Sequence, residues 1–535
     1  MASIKEETIA SGAAPLQIES DVLIVGGGMA ACWAGISAAR AGAKVVLVDK
    51  GYVGTSGVTA TAGPGHWWVS PEGNARAEAI KKRLAIGYGL ADAGWMERII
   101  DTTWRVLPTL SAYYRFNIND KGQTAYNAVR GPEYLRALRN AAVDAGVTIL
   151  DQSPVLELLL HDDGSVAGAS GIRRQEHRAY TARAGAVILA TGGAGFLGGL
   201  LGSSTNTGDG HLMAIEAGAE LSGMEFSNEY SISPRWNSTR TLIYSYARYF
   251  DEGGNELDVL PTNYVLERAL VNGPVYALLN ECPDALRKAL PQIQPMTLLP
   301  FVRKGISDVY DKPFEVKLFP EGTIRGTGGL RIVGDQCQTT IPGLFAAGDT
   351  ATRELITGAT SGGGSPNSAW ALTSGLLSGA GAAELARSRG RRLDSRPRAQ
   401  GTVGLRPRSS VKPVDRRSLL KATQDEILPL DKNVFRSGPK LQNSLAVLDS
   451  AWRELRDHDY ATGTDAVTAR ETASVVATAR LCYTAALTRD ESRGMHQRED
   501  APEQKADQGR RLLIGGLDEV WTRPEAHEQW RPTHV

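Results

Sequence analysis

Three glycines and one aspartate near the start of the chain have the types and spacing of a dinucleotide-binding site. Gly26 allows a sharp turn, and Gly28 allows the backbone to come close to a pyrophosphate. A helix that begins at Met29, with Ala30 in its first turn, would direct the positive end of its dipole at that charge. Asp49 follows Gly28 by about 20 residues, where an acid is expected to bind a ribose hydroxyl. These residues predict a site for a ligand that contains a dinucleotide.

Such a site needs parallel strands and a helix to hold it. Between Ser20 and Lys50 the chain runs through an apolar strand, a glycine turn, an alanine-rich helix and a second apolar strand. Two further short apolar strands, 187–190 and 344–347, also enter glycine-containing loops. Strands that stop at such loops place ligand-binding backbone at the carboxyl edge of a parallel sheet. The pattern predicts an α/β fold with a Rossmann-like nucleotide-binding domain.

The composition disfavours several classes of function. The 535 residues suffice for two or three domains, and the 59 basic and 59 acidic residues cancel, so net charge favours neither nucleic acid nor a membrane. Cys32, Cys282, Cys337 and Cys482 lack the spacing of an iron-sulfur cluster, a zinc site or a disulfide framework. We therefore predict no metal and a reducing, cytoplasmic compartment. The first 17 residues have no apolar signal core.

Changes of composition along the chain predict a domain inserted into the nucleotide-binding domain. The inserted segment is rich in aromatic residues and proline, and we expect an α+β cap there. Near the end of the chain apolar residues recur at helical spacing, which predicts a C-terminal helical domain. The arginine-rich segment before this domain is predicted to be a solvated linker. The alternative is that it forms a basic docking surface. The predicted boundaries are 1–17 for a flexible tail, 18–224 and 326–388 for the nucleotide-binding domain, 225–325 for the cap, 389–415 for the basic linker and 416–535 for the helical domain and tail.

Seven short motifs occur in an order that is typical of one protein family. They are Gly-Gly-Gly at 26–28, Lys-Gly-Tyr-Val-Gly-Thr-Ser-Gly at 50–57, Ala-Thr-Gly-Gly at 190–193, Thr-Asn-Thr-Gly-Asp-Gly at 205–210, Met-Glu-Phe at 224–226, Ile-Pro-Gly-Leu-Phe-Ala-Ala-Gly-Asp at 341–349 and Glu-Ser-Arg-Gly-Met-His at 491–496. In these motifs the chain resembles the flavoprotein subunits of the succinate dehydrogenase and fumarate reductase family, which includes L-aspartate oxidase and the adenylylsulfate reductase flavoprotein. The resemblance covers most of the chain. It implies FAD, bound in an extended conformation, and a mobile cap that closes a substrate over the isoalloxazine.

The motifs and the resemblance together predict the residues that bind FAD. They are Gly26, Gly28, Met29, Ala30, Asp49, Lys50, Thr55, Ser56, Gly57, Val155, Ala190, Thr191, Gly192, Asn206, Asp209, Gly348, Asp349, Gly364, Ser365 and Ser368. For Asn206 and Asp209 the alternative is that they shape their own loop by hydrogen bonds to its backbone.

The chain departs from its relatives where some of them attach FAD covalently. Those members use a histidine in an Arg-Ser-His-Thr motif, and the matching residues here are Thr55, Ser56, Gly57 and Val58. Gly57 has no nucleophile, so we predict non-covalent FAD. His66 is an alternative attachment point, but a role in the substrate pocket or in packing is favoured.

The residues by which relatives bind dicarboxylates are also replaced. Tyr230 stands where they place a histidine, and Phe250 stands where they place an arginine that acts as an acid. The histidine before their Gly-Gly is missing from 323–327, and their Gly-Ala-Asn-Arg becomes Gly-Ala-Thr-Ser at 358–361. Because a dicarboxylate needs fixed cations to offset its desolvation, succinate, fumarate and aspartate are disfavoured as substrates.

The cap supplies the candidate catalytic and substrate-binding residues. Tyr230 is the first candidate for proton transfer, and a cation such as Arg325 or Arg248 would have to lower its usual pKa of about 10. Arg325 itself is the alternative donor. The predicted substrate-binding residues are His66, Trp67, Glu229, Arg235, Trp236, Tyr246 and Arg353. This set suits a planar or partly apolar molecule with room for one acid group, although the aromatic residues could instead form the core of the cap.

The sequence thus predicts an FAD-dependent oxidoreductase that transfers a hydride to or from a small, aromatic or partly apolar substrate. Three alternatives stay open: a flavoprotein like adenylylsulfate reductase with an iron-sulfur partner, an oxidase or hydroxylase that uses dioxygen, and a non-catalytic protein of electron transfer. An electron-transfer partner protein and a homodimer are compatible with each.

Overall fold

The computed structural model describes residues 14–119, 122–239, 242–260, 263–293, 295–306, 309–390 and 396–526. Its strands are β1 (Leu16–Val25), β2 (Val45–Val48), β3 (Asn117–Ile118), β4 (Thr124–Ala125), β5 (Thr148–Leu150), β6 (Val155–Leu160), β7 (Val166–Arg173), β8 (Arg178–Leu189), β9 (Leu221–Ser222), β10 (Glu229–Pro234), β11 (Arg248–Phe250), β12 (Glu256–Leu257), β13 (Val275–Leu278), β14 (Phe314–Gly322), β15 (Gly329–Leu330), β16 (Leu344–Ala346), β17 (Arg398–Ala399), β18 (Leu512–Gly515) and β19 (Trp521–Pro524).

The structure also contains helices, some between strands and some in succession. They are α1 (Met29–Arg40), α2 (Ala75–Ala85), α3 (Ala93–Val106), α4 (Gly131–Asp144), α5 (Asp209–Glu216), α6 (Val265–Asn272), α7 (Asp284–Ile293), α8 (Pro295–Arg303), α9 (Glu354–Thr357), α10 (Ser365–Arg389), α11 (Arg416–Ile427), α12 (Leu430–Asn433), α13 (Gly438–His458) and α14 (Asp465–Thr488). Short 3₁₀ turns cover Val58–Thr61, Leu107–Ala112, Met224–Phe226, Leu242–Tyr246, Gly348–Thr350 and Ala506–Gln508.

The largest sheet is built around β1 and β8. Its strand order is β17-β6-β7-β8-β1-β2-β5, and β16 pairs with the carboxyl-terminal part of β8. Strands β16, β8, β1, β2 and β5 are parallel, whereas β6 and β7 form an antiparallel extension. Strand β2, residues 22–25 of β1 and residues 184–189 of β8 are apolar and buried, as expected for a parallel sheet with both faces covered. The predicted α/β fold with a Rossmann-like domain is confirmed.

Helices α1 and α10 cover one face of this sheet and pack tightly on each other. A β-carbon at Gly375 would lie 2.5 Å from the carbonyl oxygen of Ala30, and one at Gly379 would lie 2.3 Å from that of Ala34. Only glycine permits this approach of two backbones. The contact fixes the first turn of α1 against a 25-residue helix.

The inserted cap contains a second sheet and three helices. Its strands are antiparallel in the order β10-β14-β13-β11-β12, and α6, α7 and α8 accompany them. Its own hydrophobic core includes Phe301 and Phe314, whose ring centroids are 4.7 Å apart. The cap therefore has sheet and helices, in the proportions of an α+β unit.

The C-terminal segment forms the predicted helical domain, and it also returns to the first domain as strands. Helices α11, α13 and α14 pack together, and α14 is buried along most of its length. Strands β18 and β19 complete a small sheet of order β15-β9-β18-β19. Sequence periodicity missed these strands, because β18 pairs with β9, which lies in a distant part of the chain.

The boundaries of the tail and of the linker differ in detail from the prediction. Strand β1 begins at Leu16, which pairs with Tyr180, and residues 1–13 lie outside the described residues. In the arginine-rich segment, Arg406 pairs with Glu157 at 2.7 Å, and Arg398 pairs with Asp162. Strand β17 joins the same segment to β6. The described part of this segment is thus tied to the protein by strand pairing and ion pairs.

Two further properties bear on function. Within the described ranges no helix is long and apolar enough to cross a membrane, and no cluster of side chains could hold a metal ion. The four cysteines are free and buried.

Candidate active site

One cavity of about 690 Å³ lies at the carboxyl edge of the parallel sheet and extends beneath the cap. The glycine turn after β1 and the loops after β2, β8 and β16 line one part of it. The start of α10 and residues 59–65 also line it. Cap residues line the other end: Tyr230, Ser231, Ile232, Tyr244, Ser245, Pro295, Thr297, Ile324 and Arg325. The lining thus combines the predicted dinucleotide-binding loops with residues of the cap, as a site shared by a dinucleotide and a substrate would require.

The glycine turn leaves room for a ligand instead of a side chain. Gly26 has φ of +115°, and a β-carbon there would lie 2.1 Å from the carbonyl oxygen of Ala190. A β-carbon at Gly28 would meet no atom within 4 Å, so the backbone borders open cavity at the start of α1. This geometry fits a pyrophosphate at a helix N-terminus.

Asp49 directly follows β2 at the same edge. Its Oδ2 accepts hydrogen bonds from the Ser56 hydroxyl at 2.7 Å and from the Gly51 amide at 3.1 Å. Burial raises the pKa of Asp49, and the bond from Ser56 opposes that shift. The carboxyl group is held in place beside the predicted ribose position.

Lys50 connects the cavity to the helical domain. Its ammonium donates to Asp209 at 2.7 Å, to Thr207 at 2.8 Å and to Glu471 of α14 at 3.0 Å. Burial lowers the pKa of Lys50, but the two carboxylates outweigh that effect and raise it. Lys50 therefore borders the cavity with its charge already paired.

Several buried polar atoms in the wall have no partner in the protein. The side-chain oxygen of Asn206 and both polar atoms of the Asn367 side chain are buried without a hydrogen bond. Both residues line the cavity. Because an unsatisfied buried polar group costs about 1–3 kcal/mol, a polar ligand such as FAD fits these positions.

The structure brings the predicted cofactor residues together with one exception. All of them line the cavity except Thr55, which is exposed and donates to the Tyr52 carbonyl. Gly57, with φ of +80°, would direct a β-carbon into open space. No nucleophile occupies the place of the covalent histidine.

Tyr230 lines the cavity, but its hydroxyl is engaged elsewhere. It donates to the Leu428 carbonyl at 2.8 Å and accepts from Asn433 at 3.1 Å. Burial raises the pKa of Tyr230. The cation that opposes this shift is Arg436, and the predicted neighbours Arg325 and Arg248 do not take that role. A tyrosine held in this way is a poor proton donor.

Arg325 lies at the cap end of the cavity in a cluster of carboxyl groups. Its Nη1 donates to Glu321 at 3.0 Å, and Glu321 is fully buried and also accepts from Ser231. Burial alone would lower the pKa of Arg325, but Glu321 and Glu229 outweigh it and raise the pKa. Burial raises the pKa of Glu229 to about 7, although Arg325 opposes that shift. Glu229 is therefore the group in this cluster that titrates near neutral pH.

Four predicted residues lie away from the cavity, within the cap. Arg248 pairs with Glu256, and Arg235 pairs with Glu315 at the surface. Trp236 packs edge-on against Phe301, and Tyr246 packs against the same core. The structure does not bring Arg248, predicted as catalytic, to the described cavity, because its strand, β11, lies two strands away from β14. Trp236 and Tyr246 therefore pack against the core of the cap. This was the alternative interpretation of the aromatic residues in the sequence.

The remaining predicted substrate residues take structural positions. His66 is buried, its Nε2 lies 3.3 Å from the Tyr134 hydroxyl, and burial lowers its pKa to about 3. Trp67 packs against two hydrophobic clusters. Arg353 is fully buried, pairs with Asp349 and donates to the Thr323 carbonyl at 2.6 Å. None of the three lines the described cavity, and Arg353 holds the loop.

Sequence reasoning missed Glu321 and Ser231. They meet because β10 and β14 are paired antiparallel, with Ser231 opposite Phe319. Both occur in a cap segment where no known motif marks them. Glu229, by contrast, was predicted as a substrate residue; its charge interacts with that of Arg325, but it does not line the described cavity.

These features define the class of protein: a flavoprotein oxidoreductase with a cap over its cofactor cavity. The family model described as FAD binding domain matches residues 21–244, and the model described as fumarate reductase flavoprotein C-term matches 423–524.

Relatives and a solved structure agree with that class. A CoM/CoB fumarate reductase subunit of Methanothermobacter marburgensis is 28% identical, over 93% of this chain and 97% of its own. L-aspartate oxidase of Mycobacterium bovis is 26% identical, over 94% and 96%. A structure of the E. coli quinol fumarate reductase FrdA superposes with a TM-score of 0.79 at 21% identity, over 95% and 96%.

The chain belongs to the succinate dehydrogenase and fumarate reductase flavoprotein family. It is an FAD-dependent oxidoreductase.

Proposed function

We propose that this enzyme transfers a hydride to or from a small, partly apolar organic substrate that is not a dicarboxylate. One observation carries the proposal. The basic residues that line the described cavity are Lys50, Arg130 and Arg325, and each is paired with a carboxylate. A dicarboxylate would have to break such pairs while losing its own hydration, at several kcal/mol per ion.

Different residues of the chain would bind different parts of FAD. The glycine turn with the start of α1 would hold the pyrophosphate, Asp49 would hold the ribose, and the start of α10 at Ser365 would face the pyrimidine edge of the flavin. Bound FAD supplies the two-electron chemistry. Gly57 supports non-covalent attachment.

We assign the matching proton to the Arg325 cluster. Arg325 borders the cavity and keeps its own proton, because Glu321 and Glu229 hold its pKa above the usual range. Glu229, with a pKa of about 7, can take up or release a proton near neutral pH. Arg325 then orients the reacting group, Glu229 holds the proton, and Tyr230 positions the cap strand.

Anaerobic reduction tests this assignment. A panel of amines, alcohols, ketones and acids is mixed with FAD-loaded protein, and the absorbance of oxidised flavin is followed. With the compound that bleaches the flavin fastest, Glu229→Gln should slow the reaction by about 10²–10⁴-fold, as expected for loss of a proton-transfer group. Tyr230→Phe should change it by less than about fivefold, because one hydrogen bond at most is lost. Equal losses in both variants, or bleaching by succinate alone, would contradict the proposal.

The cellular setting is also a proposal. The free thiols of all four cysteines support a cytoplasmic location. The Methanothermobacter relative is named as one subunit of a reductase, which supports an electron-transfer partner for this chain as well. A homodimer stays a prediction.

A further inference from the structure

Arg325 is a cavity residue whose position and charge are fixed by contacts within the cap. It lines the cavity, and its Nη1 donates to Glu321 at 3.0 Å and lies 3.4 Å from the Ser231 hydroxyl. Ser231 donates to the same oxygen of Glu321, which is fully buried. The carboxylate of Glu321 has no access to solvent, so it compensates the positive charge of Arg325 before any substrate enters.

Arg325 nevertheless keeps hydrogen-bond donors for a ligand. Within the part of the chain that the structure describes, its Nε and Nη2 make no hydrogen bond, whereas Nη1 is occupied. The side chain retains 27% of its exposure, so the cap does not seal it. A guanidinium group carries N–H donors and no acceptor. The ligand group that it binds is therefore an acceptor, and because the charge of Arg325 is compensated, that acceptor need not be an anion.

Tyr244 supplies a second unused polar group in the cavity wall. The residue lines the cavity and is 7% exposed, and among the described residues its hydroxyl has no hydrogen-bond partner. Its ring lies 6.3 Å from that of Phe314 between centroids, and its carbonyl accepts from the Tyr249 hydroxyl at 3.0 Å. Burial raises the pKa of Tyr244 well above its usual value, so the hydroxyl keeps its proton. An unsatisfied buried hydroxyl is costly, and an acceptor on a ligand would remove that cost.

We propose that the cap wall of the cavity selects an uncharged substrate with a carbonyl oxygen, to which Arg325 donates, and that Tyr244 is a further substrate-binding residue. This inference rests on the proposed function and narrows its substrate class. A ketone, ester or amide gains hydrogen bonds here without changing the net charge. A carboxylate would add a second negative charge beside Glu321, and a protonated amine would meet a cation that accepts no hydrogen bond. Glu321 sets this preference by positioning and compensating Arg325.

The apolar part of the wall fits the rest of such a molecule. Ile232, Ile324 and Pro295 line the same cavity and supply apolar surface. The carbon skeleton of an aliphatic or aromatic carbonyl compound would lie on these residues. The acid group that the sequence suggested for the substrate is replaced in this proposal by a carbonyl group.

Three probes of similar size test the inference: acetophenone, benzoate and 1-phenylethylamine. Their dissociation constants from FAD-loaded protein are measured by isothermal titration calorimetry at pH 6. Glu229, with a pKa of about 7, is mostly protonated at that pH, whereas benzoate is ionised. Acetophenone should bind at least about tenfold more tightly than either charged probe, equivalent to about 1.4 kcal/mol.

Two conservative variants assign the preference to particular side chains. Glu321→Gln keeps the shape of the side chain and an acceptor for Arg325, but it removes the compensating charge. Benzoate should therefore gain at least about tenfold relative to acetophenone in this variant. Tyr244→Phe keeps the ring and should weaken acetophenone binding about two- to tenfold, as expected for one hydrogen bond.

Each variant has a matched control in the cap. Glu256→Gln removes a carboxylate that pairs with Arg248 at the cap surface. Tyr310→Phe removes a hydroxyl that, like that of Tyr244, is buried without a partner among the described residues. Neither Glu256 nor Tyr310 lines the described cavity, so both controls should bind the three probes as the wild type does.

The outcomes separate this inference from the proposed function. Tighter binding of either charged probe to the wild type, an unchanged preference in Glu321→Gln, or no binding of any probe at 20 mM would overturn the carbonyl specificity. Full acetophenone affinity in Tyr244→Phe would overturn the role of that residue, and this test holds even if Glu321→Gln does not fold. FAD content and reduction by dithionite are measured on the same samples. If the protein fails to bind FAD, the proposed function itself fails.

Discussion

Glu354 brings a carboxyl group into a fully buried position at the start of α9, next to the carboxylate of Glu225. Arg489 pairs with Glu225 at 2.7 Å and with Glu491 at 3.1 Å, so its positive charge compensates these two carboxylates. Burial, and after it the proximity of Glu225, raises the pKa of Glu354 well above its usual value. The folded protein therefore holds a proton on Glu354 that the unfolded chain releases.

This proton makes stability depend on pH in a defined direction. Between the unfolded and the folded pKa the native state binds the extra proton, so stability falls as pH rises, by up to about 1.4 kcal/mol per pH unit. Glu354→Gln mimics the protonated form. We expect the variant to match the wild type at pH 5 and to be more stable at pH 8, in urea unfolding of FAD-saturated protein.

Glu225→Gln serves as the comparison. It removes the partner of Arg489 and leaves that buried cation with less compensation, so it should destabilise at both pH values. Parallel stability curves for wild type and Glu354→Gln between pH 5 and pH 8 would show that Glu354 is ionised in the native state.

Individual residues also show which parts of the site could be predicted from the sequence. Gly26, Gly28 and Asp49 were predictable because close backbone approach and ribose binding restrict the residue type at fixed spacing. Glu321 was not, because its role depends on the pairing of β10 with β14, about 90 positions apart in the chain. The cofactor part of the site follows from local rules, and the substrate part follows from tertiary contacts.

At the scale of elements, α1 and α10 form the structure that holds the cofactor end of the cavity. Gly379 of α10 faces the carbonyl of Ala34 in the middle of α1, whereas Gly28 precedes α1 and borders open cavity. The two glycines have different tasks. One permits the helices to touch, and the other leaves space for the ligand.

Substitution by alanine should distinguish the packing role of Gly379 from the ligand-binding role of Gly28. In Gly379→Ala the new methyl group would lie 2.3 Å from a backbone oxygen, so the helices must move apart, at a cost of about 1–3 kcal/mol. Gly28 has φ of −78° and ψ of −169°, which alanine adopts readily, so Gly28→Ala should fold normally. Its methyl group would occupy the cavity and weaken FAD binding at least about tenfold.

Thermal unfolding of apoprotein and flavin fluorescence titration measure the two effects. Gly379→Ala should lower the Tm of the apoprotein, and Gly28→Ala should leave it within about 1 °C. If Gly28→Ala bound FAD as tightly as the wild type, the pyrophosphate would lie elsewhere in the cavity.

At the scale of the whole molecule, the helical domain contacts the cap as well as the cofactor domain. The Tyr264 hydroxyl donates to the Gly494 carbonyl at 3.1 Å, and Arg268 of α6 pairs with Glu499 at 2.9 Å. Asn228, at the entry to the cap, donates to the Met495 carbonyl at 2.9 Å. The periodicity of α13 and α14 predicted a helical domain, but these contacts could not be read from the sequence, because they join segments more than 200 residues apart.

These contacts should hold the cap over the cavity, and Tyr264→Phe tests that role with little change of volume. Loss of the bond to Gly494 should allow α6 and β10 to open more often, and amide hydrogen exchange there should rise about two- to tenfold. Exchange in β1 and β8 should stay unchanged, because these strands belong to the cofactor domain. Tyr249→Phe is the matched control, since the Tyr249 hydroxyl donates to the Tyr244 carbonyl within the cap at 3.0 Å. Equal exchange in the two variants would mean that the bond between the domains does not restrain the cap, and the substrate end of the cavity would then be closed by the cap's own packing alone.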